Sequence, residues 1–224
     1  MLGPRQRRPR LPLADALLLI AHDKYTGKPK VRELAIGYGL GAALLCELIV
    51  KHERVVITHT HEIKIVDFTP PSDPLAYTLL DQIRNERTIT RVRTWLSYLA
   101  LNAYGWVGDR MSRCVPPVAA PVEVRQGLLR KKVTMYVPLD STMADWPIVH
   151  IQTLVARGDM LQMPDVLLAA LLVAVGLDGE LQEDWTDEHK RYLNNCIARL
   201  PSSLGFLLAE TTAAIGAAVL TQRG

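Results

Sequence analysis

The sequence predicts a mainly α-helical fold, a multi-helix bundle around one central apolar helix with one or two small β-hairpins. Three observations predict it. Hydrophobic residues are 49% of the 224, yet aromatic residues are only 6%, with two Phe. The core must therefore come from Leu, Val, Ile and Ala, which suits helices better than a sandwich. Leu34–Val50 is apolar on nearly every side, the pattern of a helix wrapped by other helices. The β-branched runs are short and sit beside turn residues.

Taken in order, Leu13–Ala21 reads as a short apolar helix, broken by Gly27 and Pro29 in a loop that holds Lys24, Lys28, Lys30 and Arg32. Inside the Leu34–Val50 helix stand Gly37, Gly39 and Gly41. Each costs about 1 kcal/mol against Ala in a helix interior, so close backbone packing is the expected reason for them. Arg54–Thr58 and Ile63–Phe68 read as a small hairpin around His59-Thr60-His61-Glu62. Asp73 with Pro74 marks an N-cap and first turn, opening a helix to about Asn85. A helix from about Thr88 is expected to halt at Gly105, with a further short helix over Val107–Cys114. Val115–Val122, punctuated by proline, reads as an internal linker. Leu128–Val137 reads as part of a second hairpin. Helices follow from Pro147 to about Arg157, from Pro164 to Val175, from the Thr186 cap to about Arg199, and from Pro201 to about Gln222. Asp178–Asp184 reads as an acidic loop. No repeat of 20–50 residues is visible, and the domains expected are a basic flexible tail over residues 1–10 and one helical domain over 11–224.

Composition excludes several classes. Charge and hydrophobicity rule out global disorder. The net +3 includes +4 from Arg5, Arg7, Arg8 and Arg10, which leaves the remaining residues at −1. A basic tail on a near-neutral body speaks against duplex DNA as a partner, and no nucleic acid is expected. Cys46, Cys114 and Cys196 are too few and too scattered for a disulfide framework or a zinc site, and fit a reducing cytosol. The longest clean apolar run, Val166–Val175, falls short of the ~20 residues a span needs. The expected chain is soluble and able to lie on a membrane.

Catalytic signatures are also missing. There is no G-x-S-x-G, P-loop, H-E-x-x-H or dinucleotide fingerprint. Gly37-Tyr38-Gly39-Leu40-Gly41 lies inside an apolar helix rather than after a strand. His59 and His61 would share a face if they lay on a strand, but the sequence supplies no third metal ligand. Glu47, within Leu44-Leu45-Cys46-Glu47-Leu48, is expected to be a buried, hydrogen-bonded structural acid. No catalytic residue, cofactor or metal is expected.

The positive features are cationic. Lys28, Lys30 and Arg32 precede the central helix, where basic side chains and helix N-terminal amides suit an anion. Arg110 and Arg113 follow Gly108. Arg130, Lys131 and Lys132 introduce the apolar Val133, Met135 and Tyr136 of the second hairpin. Cations beside exposed apolar side chains suit an anionic membrane surface, each adding about 1 kcal/mol.

The order of these segments resembles one family. The carrying residues are Leu13–Lys28, Gly37–Val55, Ser72–Ile83, Val92–Ala100, Gly127–Pro147, Pro164–Leu181 and a small-residue final helix. Together they resemble the Golgi phosphoprotein 3 family in its actinobacterial branch, over about Leu11 to Gly224. The resemblance implies a non-enzymatic, mostly α-helical domain with a protruding β-hairpin. It implies binding of phosphatidylinositol 4-phosphate and of protein tails at a membrane. The family's headgroup pocket uses a Trp and an Arg around the central helix, plus two Arg on a later helix. Ungapped matching puts the first two at Arg32 and Gly41 and the later pair at Gly105 and Gly108, with Arg110 matching a nearby family Arg. None of the four is kept by type.

The expectation is thus a peripheral membrane adaptor, cytoplasmic and on the inner face of a membrane. It would bind anionic phospholipid headgroups through Lys28, Lys30, Arg32, Arg110 and Arg113. The hairpin would meet the bilayer or a second subunit, because exposed strand edges invite pairing. The alternative is a protein-interaction or scaffold module of a bacterial complex without headgroup specificity.

Overall fold

The computed structural model describes residues 10–126, 131–182 and 185–221. Helices dominate, as the sequence predicts. Helix α1 is Leu13–Ile20, and α2, Glu33–Cys46, runs on into a single π-helical turn, Glu47–Lys51. Strands β1 (Val55–Ile57) and β2 (Ile63–Ile65) form a short antiparallel pair. Helices α3 (Pro74–Asn85) and α4 (Val92–Arg113) follow. Strands β3 (Ala119–Gln126) and β4 (Lys131–Pro138) form the second hairpin. The chain closes with α5 (Ser141–Arg157), α6 (Met163–Val175), α7 (Asp178–Gln182), α8 (Asp187–Ala198) and α9 (Ser202–Thr221).

The spine is α2, packed by α1, α4, α6 and α9. Its residues are apolar all round, and eleven of its fourteen are buried, so it has no solvent face to display. Gly37 shows why small residues interrupt it: a Cβ there would run into the Ala100 carbonyl of α4. The penalty of glycine in a helix is offset by the closer approach of two helices.

Local hydrogen bonds fix the elements packed around this spine. Asp73 caps α3, its carboxylate accepting from the Leu75 and Ala76 amides at 2.8 and 3.2 Å, with Pro74 in the first turn. Trp95 is 2% exposed, and its indole N–H donates to the Ile89 carbonyl at 2.8 Å, which satisfies the buried polar handle.

Three local expectations are corrected. Helix α4 is continuous through Gly105, where two helices were expected. Packing of Ala103, Val107 and Met111 into the core outweighs the roughly 1 kcal/mol glycine penalty. The proline-rich stretch is not all linker: Ala119–Val122 pairs with β4, and Pro121 faces Tyr136 in a sheet of two edge strands, where a missing N–H is tolerated. The start of the acidic stretch winds into α7 instead of looping freely.

Candidate functional site

The site expected from sequence splits into two separate places. The first surrounds Arg110, near the C-terminal end of α4. Its side chain is 11% exposed, and it is spent inside the fold. Nε and Nη2 donate to Asp15 Oδ1 at 2.9 and 2.6 Å. Nη1 donates to Glu47 Oε2 at 2.9 Å and to Asp73 Oδ2 at 3.1 Å. Glu47 Oε1 also accepts from the Ala14 amide at 2.8 Å. The cluster joins α1, the π-helical turn, the cap of α3 and α4. Glu47 is thus the hydrogen-bonded structural acid that its apolar setting requires.

Three carboxylates face one guanidinium here, and the titration behaviour follows from that imbalance. Burial, with Glu47 and Asp73 adding negative charge, pushes the Asp15 carboxyl up to about 7 although Arg110 opposes the shift. For Asp73, burial is outweighed by Arg110 and by its two capping amides, which hold it below the usual carboxylate range. Burial also works against the charge on Arg110, but Glu47 and Asp15 outweigh it and hold that charge more firmly than usual.

The second place is the root of the β3–β4 hairpin. The loop between α1 and α2 folds back on itself, bridging His22 to Pro29, and presses Gly27 against Val137 and Met135 of β4. His22 is buried, with Nδ1 donating to the Leu18 carbonyl at 2.8 Å. Lys28 and Arg32 are exposed, and among the described residues neither makes an ion pair. Lys30 pairs with Glu180 of α7 at 2.6 Å, and Lys24 with Asp145 of α5 at 2.5 Å. Arg32 borders an apolar hollow of about 320 Å³ walled by Val31, Leu34, Val175, Ile215 and Val219.

The hairpin differs from the oily prong expected of it. Met135 and Tyr136 are buried at 8% and 7% exposure, at its root rather than its tip. The Tyr136 ring packs against Gly108 of α4, and its hydroxyl donates to Asp109 Oδ1 at 2.8 Å. Burial and that bond push the Tyr136 phenol up to about 12. Val133 is half-buried, and Lys132 is exposed and paired with Glu123 at 2.9 Å. Arg113 is exposed and reaches Asp109 at 3.4 Å. Arg130 lies outside the described residues, and of Lys131 only the backbone is described.

His59 and His61 fall in the turn between β1 and β2, not on a strand. His61 stacks on Phe206 at 3.7 Å. Among the described residues no group of three or more His, Cys, Asp or Glu is arranged to hold a metal. Burial, with Glu47 adding to it, pushes the Cys46 thiol up to about 12, so it stays protonated at neutral pH.

A family model described as Golgi phosphoprotein 3 matches residues 13–217, most of the chain. The chain belongs to the Golgi phosphoprotein 3 family. No curated protein matches it. Against the Golgi phosphoprotein 3 headgroup positions implied by the resemblance, the geometry is specific. Position 108 lies beneath the Tyr136 ring, and position 41 is buried against Leu99. Neither has room for an arginine in this chain. Position 105 has open space around it, and position 32 is the exposed Arg32.

Sequence reading missed the partners of Arg110. Asp15 stands in Leu11–Ile20, an otherwise apolar segment, and Asp73 looked like a cap alone. An acid embedded in a greasy helix is the signal that could have found them, since a buried carboxylate needs a cation or donors.

Proposed function

We propose that the chain is a non-enzymatic peripheral membrane adaptor that docks on anionic phospholipid headgroups through the loop side of the hairpin root. The observation that carries this reading is the pair Lys28 and Arg32. Both are exposed and without an ion pair among the described residues, and Arg32 adjoins an apolar hollow. Family membership supports an adaptor of the Golgi phosphoprotein type. Arg113, Lys132 and Val133 extend the surface toward and along the hairpin. Arg110 organises the fold and does not meet the ligand. The docking face would be cytoplasmic, on the inner side of a membrane. The open edges of the two-stranded β3–β4 sheet suit pairing with a second copy.

Phosphatidylinositol 4-phosphate is the headgroup the family resemblance implies, and a generic anionic lipid is the competing ligand. Co-sedimentation separates them: vesicles of phosphatidylcholine alone, with phosphatidylserine, or with phosphatidylinositol 4-phosphate at equal charge. Recovery with both anionic mixtures, falling as salt rises, is expected for charge-driven docking. Equal recovery with neutral and anionic vesicles overturns the proposal.

One observation favours a second reading, a scaffold that binds protein only. Lys24, Lys30, Lys132 and Arg113 each hold an acid within the chain, which leaves few cations for a bilayer. That reading predicts no lipid dependence in the same experiment.

A further inference from the structure

The Arg110 cluster has more negative than positive groups and little exposure to solvent. Asp15 and Glu47 share Nη2 of Arg110, at 2.6 and 3.4 Å, and Glu47 and Asp73 share Nη1, at 2.9 and 3.1 Å. Side-chain exposures of Asp15, Glu47 and Asp73 are 5%, 3% and 12%. Like charges this close in a poorly solvated site cannot all ionise at modest cost, and a shared proton relieves them.

We propose that Asp15, Glu47 and Asp73 around Arg110 form a proton-operated clasp on the start of α1, closed while the cluster holds a proton and loosened when the proton is lost. Asp15 is the member that takes the proton. Asp73 has its two capping amides, and Glu47 has the Ala14 amide, whereas Asp15 depends on Arg110.

The surrounding charges leave this assignment in place. Lys51 and His52 stand on the side of Glu47 and Asp73. Burial and then Lys51 hold His52 below its usual range, so it adds no charge at neutral pH. Helices α5 and α6 contribute His150 and Asp165, which lie 3.7 Å from each other, and Asp165 also binds Arg10 at 2.5 Å. On α4, Asp109 turns to Tyr136 and Arg113.

The clasp matters because of what the start of α1 does. Leu11, Leu13 and Ala16 form one wall of a groove of about 710 Å³, whose other side includes Trp146, Leu154 and Leu168. The segment is tied down at Arg10–Asp165, at Ala14–Glu47 and at Asp15–Arg110. Two of these three ties belong to the cluster, so its protonation sets how firmly that wall stands.

The direction follows from linkage. The closed clasp keeps the Asp15 proton up to about pH 7, whereas a released Asp15 ionises near its usual 3.8. Opening therefore grows as pH rises between those values, by up to about tenfold per pH unit, and levels off above about pH 7.

Amide hydrogen exchange by NMR, corrected for intrinsic rates, reads this directly at Ala14 and its neighbours. From about pH 5 to about pH 7 the wild-type opening constant is expected to rise by roughly tenfold per unit and then flatten, while Asp15→Asn stays level. A level wild-type profile, or the same rise in both proteins, overturns the proposal. Infrared difference spectra of the wild type alone give a second readout, independent of how the variant folds. A protonated-carboxyl stretch present at about pH 6 and lost above about pH 7 is expected. Its absence at about pH 6 also overturns the clasp.

Discussion

Arg32 and Arg110 stand at opposite ends of α2: Arg32 is its N-cap, and Arg110 grips Glu47, the residue after Cys46. About 15 residues at 1.5 Å of rise put these ends roughly 22 Å apart. That is about twice the Debye length in 0.1 M salt, so the two cations do not serve one anion. One works inside the fold and the other faces solvent.

Their substitutions should separate accordingly. Arg110→Leu leaves three buried carboxylates without their cation and is expected to cost about 3–5 kcal/mol. Arg32→Glu changes an exposed residue and should move stability by less than about 0.5 kcal/mol. Urea unfolding of both variants checks the pair.

Stability should also respond to pH through Asp15. Its folded value, about 7, lies above the unfolded 3.8, so its contribution is present in full at low pH and is lost as pH rises toward 7. The expected slope is negative and at most about 1.4 kcal/mol per pH unit in that window. Asp73 acts in the opposite sense, its contribution being lost as pH falls below the ordinary carboxylate range. Urea midpoints measured from about pH 5 to about pH 8 should decline in the wild type and stay nearly level in Asp15→Asn.

The hairpin root gives a packing prediction. A Cβ at position 108 would collide with the Tyr136 ring. Gly108→Ala is expected to cost about 1–3 kcal/mol by overpacking. In a Tyr136→Ala background the same change should be close to neutral. A double-mutant cycle by urea unfolding measures this coupling directly.

Much of the fold was legible because apolar periodicity and caps are local signals. Leu34–Val50 reads as a buried helix from its all-round apolar pattern, and Asp73-Pro74 reads as the cap and first turn of another. Gly105 misled because propensity favours a stop, whereas the α4 contacts that override it come from distant residues. The site was less legible for the same reason. Arg110 reads as a surface cation until the fold brings Asp15, Glu47 and Asp73 to it from positions up to 95 residues away. Met135 and Tyr136 read as exposed apolar residues beside cations because nothing local indicates that Gly108 provides a seat for the ring.

Lys30 offers a test of how the cationic edge is tuned. Its ion pair with Glu180 is partly exposed and worth less than about 1 kcal/mol to stability. Glu180→Gln frees Lys30, and one further cation near an anionic surface adds about 1 kcal/mol, or about fivefold in affinity. Vesicle titration of the variant against wild type should show that gain, with stability lowered by less than about 1 kcal/mol.

The most direct measurement is co-sedimentation of wild type and the Lys28→Glu/Arg32→Glu double variant with phosphatidylserine-containing vesicles at low salt. Wild type should pellet with the vesicles and the double variant should stay in the supernatant while remaining folded. Equal pelleting of the two proteins, or a wild type that never pellets, would contradict membrane docking through this edge.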